Sequence, residues 1–264
     1  MSPLTPSLIF GCILMVVLFG ITWRVSCKLD NYGFVDIAWS YGLAILTPLY
    51  LALTVGYEPR RWVIAVMAIL WSVRLGAHIF IRVSRHHPEE DVRYKVLRQK
   101  WPGRLQSAFF YFFEAQAFLV VLLSLPVLFA VRNPAPALSW VEWLGAAVWI
   151  IAWVGEMVAD RQLKSFRADK ANRGKVCDAG LWRYSRHPNY FFESLIWWGF
   201  WLFACGSPWG WTTLFAPLLM LHFLLRVTGI PLTEKCSLES KGDAYRAYQR
   251  RTSAFIPWFP KHTS

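Results

Sequence analysis

Apolar residues in this chain fall into long uninterrupted blocks, not into the alternating or single-face patterns of a soluble domain. Blocks of roughly 20 residues, the length that carries a helix across ~30 Å of hydrocarbon, occupy about residues 8–23, 34–54, 62–81, 107–131, 138–159, 193–207 and 210–228. The sixth is the weakest, because Glu193 opens it and Gly206-Ser207-Pro208 closes it early. The pattern predicts an all-α, polytopic integral membrane protein of about seven transmembrane helices, with residues 1–264 forming one transmembrane domain and no internal repeat. The first block, Leu8 to Trp23, lacks the basic n-region and small-residue cleavage site of a signal peptide. It is therefore expected to be the first spanning helix.

The polar segments between the blocks set the topology. With the N-terminus outside, the inner segments are 24–33, 82–106, 160–192 and 229–264, and they hold 23 Lys and Arg residues. The outer loops 55–61 and 132–137 hold three: Arg60, Arg61 and Arg132. That asymmetry follows the positive-inside rule and places the C-terminus in the cytoplasm. The three later inner segments are also the long ones, and long segments carry sites where tight turns do not. Function is therefore expected on the cytoplasmic side, at 82–106, 160–192 and 229–264.

Composition agrees. Hydrophobic residues make up 56% of the chain and charged residues 17%, against about 25% charged in a typical soluble domain. The net charge of +12 lies between apolar blocks, so it points to topology, anionic headgroups or phosphates, and not to nucleic acid. The five cysteines show no CxxC or Cys/His spacing, which argues against a disulfide framework and a zinc site. Adjacent side chains on a loop rarely converge on one ion, so His86-His87-Pro88-Glu89-Glu90-Asp91 is not read as a metal site either.

Several ionisable residues interrupt the apolar blocks: Asp36, Arg74, Glu114, Glu156 and Arg226, with Gln116 and His222 beside them. An isolated charge at the bilayer centre costs at least ~2.5–3.5 kcal/mol, so each needs a partner or a wet cavity. Structural pairs such as Glu114 with Arg74, or snorkelling to the interface, account for any single one. Five on one chain favour an internal polar cavity.

The densest chemical signal runs from Glu156 to Glu193. Asp160, Lys164 and Arg167 recur at helical spacing and share one face beyond the membrane. In GKVCDAGLWRYSRHPNYFFE, Pro188 stops any helix before it and Asn189 is a candidate cap of the next, with Arg183, Arg186 and His187 just before that start. Guanidinium forks beside a helix N-terminus suit phosphate. A basic loop touching lipid headgroups is the plainer alternative. No GxGxxG after a strand and no GxxxxGK[ST] is present, so any nucleotide would have to be held by the membrane fold itself. The tail YRAYQRRTSAFIPWFP interleaves aromatic residues with arginine and is expected to lie in the interface plane.

GLWRYSRHPNYFFE followed by WWG resembles the C-terminal signature shared by steroid 5α-reductases, sterol reductases and isoprenylcysteine carboxyl methyltransferases. FVDIAWS at 34–40, EEDVRY at 89–94, FEAQAFLVVLLSLP at 113–126 and TGIPLTE at 228–234 extend this to nearly the whole chain. Together they resemble the bacterial steroid 5α-reductase-like proteins. The resemblance implies a seven-helix enzyme, in a bacterial inner membrane, that holds NADPH among the cytoplasmic halves of its last helices. A lipophilic substrate would enter from the bilayer, and hydride would pass to the C=C bond of an enone such as a 3-oxo-Δ4 steroid. A carboxylic acid and a tyrosine would hydrogen-bond the ketone oxygen.

Carried over by the resemblance, the cofactor set is Asp160, Arg167, Asn189, Glu193 and Arg226, with Glu156, Lys164, Arg183, Arg186, His187, Tyr190 and Glu234 around them. Glu156 stands where the family has Asn. Glu234 stands where the steroid enzymes have Tyr, a feature closer to the methyltransferases. On the substrate side the acid is Asp36, with Glu114 second, and the tyrosine is Tyr94, with Tyr32, Tyr41 and Tyr111 open. The competing expectations are an S-adenosylmethionine-dependent membrane methyltransferase and a non-enzymatic lipid-binding protein. Oligomeric state leaves no mark on the sequence.

Overall fold

The computed structural model describes residues 4–261, and among them the secondary structure is helical, with no β-strand. The α-helices are α1 (Leu4–Lys28), α2 (Phe34–Leu53), α3 (Glu58–His86), α4 (Val92–Lys100), α5 (Leu105–Leu123), α6 (Leu125–Val131), α7 (Trp140–Ala168), α8 (Pro188–Cys205), α9 (Phe215–His222) and α10 (Ile230–Arg251). Six helical stretches are long and apolar enough to cross a membrane: α1, α2, α3, the α5–α6 pair, α7 and Gly210–Arg251. The chain is thus a multi-pass membrane protein. These stretches coincide with six of the seven blocks expected above. The remaining block lies in α8, which is helical but not among the six. Asn189 and Glu193 occupy its first turns and shorten its apolar run.

The chain divides into two compact units, Met1–Ser139 with Gly206–Gly210, and Trp140–Cys205 with Trp211–Ser264. In the first, α1, α2, α3 and α5 pack through small residues, as helices in a membrane do when apolar burial alone gives no drive to associate. A Cβ on Gly42 would sit 2.3 Å from Val120 Cγ1, and one on Gly76 2.6 Å from the Tyr41 ring. Between α2 and α3, the hydroxyl of Ser72 donates to the carbonyl of Ser40 at 2.5 Å and accepts from the backbone of Ala44. Arg60, 1% exposed, closes the end of this unit by donating to the carbonyls of Asn133, Ala135 and Ala137.

The second unit is built on α7 against α8. A Cβ on Gly145 would lie 2.4 Å from the backbone nitrogen of Phe203, and one on Gly199 2.9 Å from that of Trp149. The two backbones therefore touch, and Gly155 leaves room in the same way for the ring of Phe192. After α9 the chain forms a π-helical turn, Phe223–Val227, then enters α10 at Ile230, with Pro231 in its first turn. Alpha10 breaks at Gly242, whose φ of 52° is a glycine conformation. Its polar sequence continues past the apolar run expected at 210–228.

Candidate functional site

Each unit brings chemically able side chains together. In the first unit, the turn between α1 and α2 is held by Asn31, whose Oδ1 accepts from the backbone of Gly33 at 2.9 Å. This short-range bond starts α2 and brings Asp36 into its first turn. Glu90, 8% exposed, accepts from the backbone of Tyr32 at 2.7 Å and from Arg98 at 2.6 Å, tying the turn to α4. Asp91 is the N-cap of α4 and accepts from the backbone of Arg93 at 3.0 Å. It also accepts from the Arg93 side chain, which fixes that guanidinium.

Arg93 then donates to Asp36 Oδ2 at 2.6 Å, and the hydroxyl of Tyr94 donates to Asp36 Oδ1 at 2.7 Å. Arg82 of α3 lies 3.5 Å from Asp36 and 3.8 Å from Asp91. Two carboxylates thus share two guanidiniums, with a buried tyrosine on one of them. Burial pushes the Asp91 carboxyl up, but its bonds to Arg93 and the charge of Arg82 outweigh this and hold it below the ordinary carboxylate range. Burial resists the Arg93 charge, and Asp36 more than restores it. Burial raises Tyr94 well above an ordinary phenol, and the Asp36 charge adds to the effect.

The sequence expectation of an acid paired with a tyrosine therefore finds Asp36 with Tyr94. Of the other tyrosines, Tyr32 reaches Cys27 at 3.8 Å, Tyr41 packs on Gly76, and Tyr111 is 71% exposed. Glu114 stands apart on α5, opposite Gly20 of α1. Neither of its oxygens has a hydrogen-bond partner among the described residues, so a hydrogen-bonded pairing with Arg74 is not formed. Arg93, Asp91 and Arg82 were not singled out from sequence. Their contiguity with Tyr94 in EEDVRY was a signal, but nothing in the sequence showed that it would meet Asp36.

In the second unit, Asp160 of α7 accepts from the side-chain amide of Asn189 of α8 at 3.4 Å. Asn189 does not cap α8: the helix begins at Pro188, a favoured first position, and Asn189 is its second residue. The amide oxygen of Asn189 is buried and has no hydrogen-bond partner among the described residues. Glu193, one turn on, accepts from the indole of Trp197 at 2.9 Å. Glu156, one turn before Asp160 on α7, is 5% exposed.

A second knot lies beside this. Glu234 of α10 accepts from Arg186 at 2.7 Å and Gln249 at 3.0 Å, and lies 3.4 Å from the His187 ring. Burial opposes the Glu234 charge, but its bonds to His187 and Arg186 prevail and hold the carboxyl at about 2. Arg186 also donates to the carbonyls of Gln249 and Thr252 at the end of α10. The His187 ring stacks on Tyr190, whose hydroxyl pairs with Thr233 at 3.1 Å. The tail returns along the same loop: Arg186 donates its backbone N–H to Ser253, Trp258 to Tyr184, and the Ser185 hydroxyl bonds Phe255. Arg186, His187 and Glu234 are therefore committed to internal partners.

Lys164, Arg167, Arg183 and Arg226 contrast with them. All four are exposed, and none makes a hydrogen bond or ion pair to the described residues. Unconsumed cations and an orphaned amide oxygen are what a phosphate-bearing nicotinamide cofactor would require of the chain, and in that sense the residues fit one.

Comparison with known proteins gives the same span. Residues 22–252 match the family described as a protein of unknown function, DUF1295. The uncharacterized protein C594.04c of Schizosaccharomyces pombe is 30% identical over 281 residues, covering 96% of this chain and 80% of that protein. No solved structure matches.

Proposed function

We propose that this chain, which belongs to the DUF1295 family, a steroid 5α-reductase-like family, is a membrane-embedded, NADPH-dependent reductase. Its substrate would be a lipophilic enone such as a 3-oxo-Δ4 steroid. In this reading it spans the membrane seven times, with the N-terminus outside and the basic segments cytoplasmic. A similar protein in a fission yeast means that the proposal does not depend on a bacterial membrane.

The observation that carries the reading is the bond between Tyr94 and Asp36, two residues from separate motifs. Reduction of an enone builds negative charge on its oxygen, and donors placed there lower the barrier. Asp36, ion-paired to Arg93, only accepts hydrogen bonds. Its part is to hold donors, not to donate. Tyr94 supplies the hydroxyl, which would turn from Asp36 to the substrate oxygen. Arg82, 42% exposed, supplies an accessible positive charge.

In the second unit Asn189, oriented by Asp160, would receive the nicotinamide amide, while Lys164, Arg167, Arg183 and Arg226 would receive the phosphates. Bound there, NADPH supplies the hydride. S-adenosylmethionine carries a sulfonium cation and no phosphate, and a set of unpaired cations suits it poorly. A passive lipid carrier would leave the ion-paired Asp36–Tyr94 cluster without a task. Turnover of purified protein with NADPH and a panel of 3-oxo-Δ4 steroids and related enones tests the reading. Substrate-dependent NADPH oxidation is expected. No NADPH binding at physiological concentration would overturn it.

A further inference from the structure

One face of α7 is not used by either cluster. Ile151, Val154 and Val158 are 64%, 45% and 40% exposed. With Arg161 and Ser165 they recur at spacings of three and four residues, so all five line one stripe of the helix. The stripe changes character along its length. It is apolar through the membrane-spanning part and turns polar at Arg161, where the charged run beyond the membrane begins.

At that point it opens into a cavity of about 400 Å³, lined by Val158, Arg161, Ser165 and Phe166 on α7 and by Cys177 and Ala179 of the following loop. The loop that walls it is held in place. Gly180 has a φ of +59°, and a Cβ there would strike the Gln162 side chain at 2.5 Å. Gln162 in turn accepts from the backbone of Leu181 at 2.9 Å, and Trp182 donates to the carbonyl of Ala159 at 3.0 Å. The loop is thereby pinned over α7 with a slot beneath it. Arg161, on the wall of the slot, is exposed and makes no hydrogen bond or ion pair to the described residues. The nearby Asp178 is paired with Arg251.

We propose that this slot is a binding site for an anionic phospholipid. The phosphate would sit at Arg161, and one acyl chain would run back along Val158, Val154 and Ile151. From Ile151 to Val158 the helix rises roughly 10 Å, enough for the upper part of a chain. The apolar stripe, which a free phosphate would not need, selects the lipid. The inference stands apart from the reductase reading, since Arg161 belongs to neither cluster.

Native mass spectrometry of the full chain, with phosphatidylglycerol or phosphatidylcholine added, tests it. A phosphatidylglycerol adduct should persist after phosphatidylcholine has dissociated. Arg161→Ala should lower its occupancy about tenfold or more, as loss of a hydrogen bond to a charged group implies. Arg161→Lys should keep part of it, since the charge survives and the fork does not. Val158→Trp, which fills the slot and leaves the charge, should also lower it, and Arg173→Ala in the exposed loop should not. The proposal is overturned by equal retention of the two lipids, by wild-type occupancy in Val158→Trp, or by displacement of the lipid by equimolar inorganic phosphate. Should Arg161→Ala fail to fold, Val158→Trp and Arg161→Lys decide the matter.

Discussion

The hydroxyl of Tyr94 lies 2.7 Å from Oδ1 of Asp36, a residue 58 positions earlier in the chain. Three further side chains, Arg93, Asp91 and Arg82, hold that contact. Tyr94→Phe removes one hydroxyl and leaves Asp36 its bond to Arg93. Stability should fall by only about 0.5–1.5 kcal/mol. Turnover of an enone should fall about 10²–10³-fold, the usual cost of a lost oxyanion donor. Asp36→Asn, by contrast, leaves two guanidiniums short of charge and should lower the melting temperature as well as the rate. Denaturation curves and initial rates on the two variants separate these outcomes.

Asn189 contacts Asp160 and does not cap α8. Asn189→Ala should therefore cost well under the ~1 kcal/mol typical of a lost cap. It should still weaken NADPH binding. Asn189→Asp, which would rescue a cap, should be worse than Ala because it sets a second carboxylate against Asp160. Calorimetric titration of the cofactor alongside thermal melts distinguishes these outcomes.

The α7–α8 contact depends on two glycines whose Cβ atoms would meet backbone, which cannot rotate away. Gly145→Ala should destabilise the second unit by about 1–3 kcal/mol, the range for an overpacked contact. Gly103→Ala, where nothing lies within 4 Å but φ is +75°, should show only the smaller cost of backbone strain. Urea or heat denaturation in detergent measures both.

Glu234 makes the tail sensitive to acid in a defined window. Its carboxyl is ordinarily at 4.5 and is held at about 2 in the folded chain. A depressed carboxylate contributes stability that is complete above its unfolded value and is lost as pH falls through its folded one. Melting temperature should therefore not respond to Glu234 between pH 7 and 5. Below about 4.5 it should decline, and Glu234→Gln should be less stable at neutral pH and lack that acid-dependent part.

Much of this was legible in the sequence, and the limits have physical causes. The apolar blocks located the helices because hydrocarbon thickness sets their length. The block in α8 was the weakest in sequence because Asn189 and Glu193 fall in the first turns of that helix. FVDIAWS and EEDVRY each stood out, but their meeting through Asp36, Arg93 and Tyr94 depends on tertiary folding that no spacing encodes. From Arg167 to Arg186 the sequence offered arginines of equivalent appearance. Only the fold separates Arg186, spent on Glu234 and the end of α10, from Arg167 and Arg183, which remain exposed. Asn189 was expected as a possible cap, because a sequence does not reveal that Pro188 already opens the helix.

The account turns on the cofactor, so the most direct measurement is thermal stability of the purified full chain with NADPH against S-adenosylmethionine. A ligand at 100 times its dissociation constant adds about 2.7 kcal/mol to the folded state, a readily visible shift. The account predicts stabilisation by NADPH that is reduced in Arg167→Ala and Asn189→Ala, and none by S-adenosylmethionine. Stabilisation by S-adenosylmethionine alone, or by neither compound, would contradict it.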